Sequence, residues 1–214
     1  MTESVRKPRE RYRAQVREEV KRHAWAQIAG AGVTTLSLNA IAKQMGMSGP
    51  ALYRYFSGRD ELITELIRDA YRSLADTVRA AFEAGTTPVA LAAVIRKWAL
   101  RDPHRYLLIY GTPVPGYHAP DEITAISNEI LAVLLEVCAD PSDQPKTPFD
   151  VLLSTNREWA SALPASSPTV HRALSFWTRL QGVLSLELAG HFGPMGFDPG
   201  LLLAEEVAEL SSGL

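Results

Sequence analysis

The sequence predicts an all-α protein in which a small three-helix module precedes a larger helical domain. Three observations lead there. Apolar residues recur at helical spacing along almost the whole chain, whereas the short alternating runs of Val, Ile and Thr that mark strands are scarce. A helix stop at Gly46 and a helix start at Ser48 stand two residues apart, which is the outline of a helix-turn-helix. The charge also changes sign nearby. Residues 1–60 carry eleven Lys and Arg against five acids, net +6, so a chain of net charge −2 leaves −8 for the remainder.

The elements follow in order. Residues 1–10 are polar and charged and read as a flexible basic arm. From Arg11 to Ala29, Tyr12, Val16, Val20, Ala24 and Ile28 recur every four residues and give one apolar stripe. Gly30 and Gly32 end that helix. Ser37 caps the next, where Leu38, Ile41, Ala42 and Met45 fit the helical template. Gly46 stops it, and Ser48 caps a third, short helix with Pro50 in its first turn. Ser57-Gly58-Arg59-Asp60 has the outline of a capping box, with Asp60 in place of the usual Glu or Gln. It opens a long helix reaching about Ala84. Further helical patterns span roughly 88–101, 103–110, 121–138, 148–162, 168–191 and 199–211. Pro- and Gly-bearing breaks at 111–120, 140–148 and 193–200 separate them. The domain reading is an arm at 1–10, a helix-turn-helix module at 11–58 and a larger helical domain at 59–214.

Composition removes several classes. Cys138 is the only cysteine, so no intrachain disulfide or cysteine metal cluster forms, and a buried inert thiol is expected. Five histidines show no H-E-x-x-H or paired spacing, so no metal site is expected. There is no G-x-S-x-G, G-x-G-x-x-G or Walker loop, so no catalytic residues and no cofactor are expected and an enzyme has no motif behind it. No apolar run approaches the ~18 residues of a membrane span and no leader opens the chain, which makes a cytoplasmic protein the expectation.

The short third helix carries the functional signal. Leu52 and Phe56 sit four apart as a buried face, yet Tyr53, Arg54 and Tyr55 crowd the other side. A space-filling helix would expose Glu, Lys or Ala there. A helix that enters the major groove of duplex DNA has a use for such side chains. Arg54 suits a bidentate contact to guanine. Tyr53 and Tyr55 suit phosphate or sugar contacts, or thymine methyls. Gly49 and Pro50 let the backbone approach the bases. Asn39 can reach a phosphate or an adenine edge, Ser37 and Ser48 sit at helix starts that attract phosphate, and Arg59 should bind backbone phosphate.

The stretch "GVTTLSLNAIAKQMGMSGPALYRYFSGRDELI", Gly32 to Ile63, resembles the TetR family of bacterial transcriptional repressors, with the Leu-Tyr-Arg-Tyr-Phe core as its most specific part. Arg59 stands for the family's usual Lys, and Tyr55 for its frequent His. Gly49 leaves the first recognition position without a side chain, which shifts base reading to Pro50, Tyr53 and Arg54. "YGTPVPGYHAP" followed by "FWTRLQGVLSLELAGHF" is similar to a carboxy-terminal domain common among actinobacterial regulators of this type. The resemblance implies that residues 59–214 are an effector-binding and dimerisation domain, that a homodimer forms through the last two long helices, and that repression of a palindromic operator is relieved by a small apolar or amphipathic effector.

In the acidic part, Trp98, Tyr106, Tyr110, Phe176, Trp177 and Leu180 are the candidate effector contacts. Core packing is the competing reading for each; the pocket reading gains from Tyr106 and Tyr110, four apart beside a Pro/Gly break. Leu174, Trp177, Gly182 and Leu186 offer a flat face for an isologous dimer. Glu187 is expected to pair across that interface or to face solvent, a pocket role coming third. Two other classes stay open: a ligand-independent DNA binder, in which Tyr106 and Tyr110 are plain core, and an all-α enzyme.

Overall fold

The computed structural model describes residues 8–114, 116–139, 147–156 and 165–210. Among them it holds ten α-helices, two short 3-10 turns and no strand. The helices are α1 Pro8–Ala31, α2 Leu38–Gln44, α3 Gly49–Leu52, α4 Arg59–Glu83, α5 Pro88–Arg101, α6 Pro103–Tyr110, α7 Asp121–Val137, α8 Pro148–Thr155, α9 Ser167–Leu188 and α10 Pro199–Glu209. Of the expected arm, residues 1–7 lie outside the described residues, while Pro8–Glu10 form the first turn of α1. The expected helix 148–162 is seen as α8 up to Thr155; residues 157–162 lie outside the described residues, as does residue 211 at the expected end of the last helix.

The chain forms two compact units, and the division falls inside α4. The first holds the residues up to Ala70 together with His104–Pro120, the second Tyr71–Pro103 and Asp121 onward. In the first unit the α1 stripe buries Val16, Val20, Ala24 and Ile28, but Tyr12 is 63% exposed and does not belong to it. Leu38, Ile41, Leu52, Phe56, Leu62, Ile63 and Leu66 complete that core. Each such side chain contributes about 1.5–3 kcal/mol relative to exposure. In α6, Tyr106 is buried against the half-buried Tyr110, ring centroids 5.4 Å apart. Arg105 lies over the Trp25 ring of α1 at 5.7 Å.

In the second unit α9 is the central helix, packed by α5, α7, α8 and α10. It buries Val170, Ala173, Phe176, Leu180, Val183 and Leu184. It ends at Leu188, three residues before the expected end, because Gly190 turns left-handed (φ 80°) and the His191 amide bonds back to Leu186. Glu187 is half-buried and has a partner within its own chain. Its carboxylate takes a two-pronged contact from Arg96 of α5, Nε at 2.8 Å and Nη2 at 2.6 Å. The same guanidinium reaches Asp198, the cap of α10, at 3.4 Å. One arginine thus joins three helices. Arg172 does similar work, donating to the carbonyls of Leu210 and Ala139, each at 3.0 Å. Cys138 is buried, and burial pushes its thiol up to about 11, against a small opposing pull from Arg172. The expected burial of this thiol is what the fold contains.

Candidate nucleic-acid interface

The helix-turn-helix is built from short-range hydrogen bonds. The Ser37 hydroxyl accepts from the Ala40 amide at 3.3 Å and caps α2, and the Ser37 amide donates to Gln27 Oε1 at 3.0 Å. At the other end, Gly46 takes φ 65°. The Met47 amide bonds to the Ala42 carbonyl at 2.9 Å and the Gly46 amide to Lys43 at 3.2 Å. That pair satisfies the last carbonyls of α2 and needs a residue that tolerates positive φ.

Two local expectations change in detail. Ser48 precedes α3 but its side chain makes no capping bond, so its exposed hydroxyl stays available. The capping box before α4 is one residue out of register. Glu61, not Asp60, reaches back to the Ser57 amide at 2.6 Å. Burial alone would push the Glu61 carboxyl up, but bonds from Ser57 and Arg17 together hold it below its ordinary 4.5.

Helix α3 is only four residues long. Beyond it the chain tightens: the Arg54 amide bonds to Ala51 and the Tyr55 amide to Leu52, both three residues back, before Phe56 returns to Leu52. Tyr53, Arg54 and Tyr55 therefore stand on a turn, held from below by Leu52 and Phe56, which are fully buried. Tyr53 and Arg54 are exposed and Tyr55 is half-buried. No described residue pairs with the Arg54 guanidinium. Pro50 and Asn39 are exposed, and Asn39 Oδ1 would lie 3.3 Å from a Cβ placed on Gly49, so the first turn of α2 and the start of α3 stand side by side. Arg59 spends one donor on the Val33 carbonyl at 2.9 Å, in the 3-10 turn before α2. The candidates thus lie on neighbouring elements: Ser37 and Asn39 at the start of α2, with Asn39 beside Gly49 at the start of α3, and Arg59 of α4 tied to the turn before α2.

Several basic residues of this module are engaged by the protein itself. Arg17, Lys21 and Arg13 of α1 all bond to protein. Lys21 is 7% exposed and contacts Glu18 at 2.6 Å and Asp69 at 2.7 Å. Arg17 contacts Glu61 at 3.1 Å and Glu65 at 3.3 Å. A signal for this existed. Arg17 and Lys21 stand four apart on α1, as Glu61, Glu65 and Asp69 do in turn on α4, so each row lies on one helix face and the two rows carry opposite charge.

The six expected effector contacts fall in both units. Phe176 and Leu180 are fully buried in α9 and Trp177 is half-buried. Trp98 is 9% exposed and donates its indole N–H to Ser73 at 3.1 Å. Tyr106 and Tyr110 belong to the first unit. A recess of about 310 Å³ opens in the first unit between α1, the 3-10 turn and α2, lined by Ala26, Gln27, Gly30, Thr35, Ala40 and Gln44 among others. None of the six borders it. Among the described residues no cluster of His, Cys, Asp and Glu could hold a metal ion, and no helix is long and apolar enough to cross a membrane.

Known proteins share this architecture. Residues 22–66 match the family model "Bacterial regulatory proteins, tetR family", and residues 88–210 match "Tetracyclin repressor-like, C-terminal domain". The HTH-type transcriptional regulator Rv1816 of Mycobacterium tuberculosis is 34% identical over 211 residues, covering 89% of this chain and 88% of its own. A solved structure of the regulatory protein SCO4313 superposes with a TM-score of 0.89 at 61% identity, over 97% of this chain and all of that one. NalD of Pseudomonas aeruginosa, the secondary repressor of the MexAB-OprM multidrug efflux pump, shares the fold. Its TM-score is 0.53 at 16% identity, over 94% of this chain and 97% of its own. The one family model spans the helix-turn-helix and the other more than half the chain, so this protein belongs to the TetR family of transcriptional regulators and carries that family's DNA-binding helix-turn-helix.

Proposed function

We propose that the protein is a homodimeric repressor that reads a palindromic operator and leaves it when a small apolar or amphipathic ligand binds. The observation that carries the DNA half of this reading is the Tyr53–Arg54 pair, exposed on a turn whose underside, Leu52 and Phe56, is fully buried. Side chains so firmly mounted and yet turned away from the core are suited to a groove. Arg54 reads a base, Tyr53 and Tyr55 touch sugar, phosphate or thymine methyls, and Gly49 and Pro50 set the approach. Ser37, Asn39, Ser48 and the remaining donors of Arg59 serve phosphates or, for Asn39, an adenine edge.

Support for a dimer comes from α9 and α10. Gly182 is exposed, Leu186 is 45% exposed and Leu201 is 67% exposed. Such apolar surface is covered at low cost by a second copy, and a two-fold protein matches a palindrome. On the regulatory side, Trp98, Phe176, Trp177 and Leu180 are the wall candidates within the second unit, and the Tyr106–Tyr110 pair is the candidate in the first. Helix α4 runs without a break from Arg59 to Glu83, so a ligand that tilts it changes the setting of the DNA-reading head. A ligand favouring the wrong setting by ~3 kcal/mol releases operator about a hundredfold.

Selection of genomic fragments by the purified protein tests the reading. The enriched fragments should share an inverted repeat whose half-site centres lie about one helical turn, roughly 34 Å, apart. Enrichment without any shared repeat would remove the palindromic operator. Fragments so selected then report ligands by their release.

A further inference from the structure

We propose that Arg17 of α1 is the positioning residue for base readout: it locks the segment from Tyr53 to Phe56 in place and takes no part in binding phosphate. The proposal rests on the reading of Tyr53 and Arg54 as the DNA-facing residues. Its basis is a structural problem posed by α3. Four helical residues are too few to hold themselves, and the residues that matter stand after the helix, on a turn whose carbonyls have no helical amide to receive them.

Helix α1 supplies what is missing. Arg13 Nη2 donates to the Arg54 carbonyl at 3.3 Å. Arg17, one turn on, donates from Nη1 to the Tyr55 carbonyl and to Glu61 Oε1, the latter at 3.1 Å, while Nη2 lies 3.3 Å from Glu65 Oε1. Its guanidinium also lies over the Phe56 ring, with Cζ 4.1 Å from the ring centroid. One side chain therefore bridges three things: the carbonyl after Arg54, the buried ring that anchors the turn, and the first two turns of α4. Glu61 closes the circle, because its other oxygen holds the Ser57 amide. Only a planar group with several fixed donors can meet a carbonyl, two carboxylates and an aromatic face at once. A lysine in that place keeps the charge and loses the fork. Two carboxylates next to the guanidinium also cancel its field at the surface, so phosphate gains little from it.

The test is DNA binding by Arg17→Gln and Arg17→Lys, on a fragment the wild type prefers and on a random duplex, at several salt concentrations, alongside thermal midpoints. Both variants should lose tenfold or more on the preferred fragment. Binding to random DNA should stay within about twofold, with the slope of log affinity against log salt unchanged. A phosphate contact would show instead as equal losses on both DNAs, a slope shallower by about 0.9 in the Gln variant and recovery in the Lys variant. That result overturns the proposal. So does joint loss of both kinds of binding in the Lys variant with a collapsed midpoint, which would make Arg17 a general stabiliser. A wild-type protein that prefers no fragment would sink the base-reading assignment first, and this shows before any variant is made.

Discussion

Phe56→Ala should lower the thermal midpoint by the order of 10 °C and abolish preference for the operator. Phe56 is fully buried and is one of the largest such side chains in the molecule. Its amide closes the turn on Leu52, and its ring is the floor on which Arg17 lies. Removing the ring costs about 3–5 kcal/mol as lost burial and residual cavity. Stability of an ordinary domain is about 5–15 kcal/mol, and each kcal/mol moves the midpoint by about 2–4 °C at this size. The loss falls on the unit that carries the Tyr53–Tyr55 turn, because Phe56 is buried in the same unit as Leu52, Leu62 and Ile63. Melting followed by circular dichroism, with DNA titration below the midpoint, measures both effects. A midpoint within a degree or two of wild type, with operator preference intact, would show that the turn is held by something other than its buried floor.

Arg54→Ala should do the opposite: leave stability alone and remove specificity. The guanidinium is exposed and has no partner among the described residues, so the midpoint should hold to within the ~0.5 kcal/mol usual for such surface changes. Loss of a bidentate base contact costs about 1–3 kcal/mol of discrimination, five- to 150-fold at one base pair. Binding to the preferred fragment should fall by that factor, and variants of the fragment substituted at one position should become equivalent. Arg59→Ala is the contrast. Arg59 ties the start of α4 to the Val33 carbonyl, so its loss should weaken all DNA alike and lower the midpoint slightly. Equal losses on operator and random DNA for Arg54→Ala would move Arg54 into the same class as Arg59.

The helices were legible because each announces itself locally. Val16, Val20, Ala24 and Ile28 mark the inner face of α1 by spacing alone. Ser37 and Gly46 mark the ends of α2 because a cap hydroxyl and a positive φ are met by very few residue types. Choices among near neighbours were not legible. Asp60 and Glu61 are both acids within reach of Ser57, and the longer side chain won. Tyr12 keeps the four-residue rhythm but lies one turn beyond the core it would have to touch. Glu187 finds Arg96 across 91 residues of chain, a partner that spacing within α9 cannot reveal. The same holds for the interface. Exposed Tyr53 and Arg54 could be read from the pattern, but the role of Arg17 depends on two helices meeting. A basic count of eleven in the first sixty residues therefore overstates the charge offered to DNA. The matching rhythm of Arg17 and Lys21 with Glu61, Glu65 and Asp69 was the available clue.

Recognition of DNA sequence through the turn at Tyr53–Arg54, as proposed, is open to direct measurement. Its most direct test is fluorescence anisotropy with the wild-type protein, titrated onto its own upstream intergenic DNA, onto the best selected fragment and onto a random duplex, across several salt concentrations. Binding to at least one specific fragment should be about 10³-fold or more tighter than to random DNA, with affinity falling steeply as salt rises. Equal affinity for all three at every salt would contradict it.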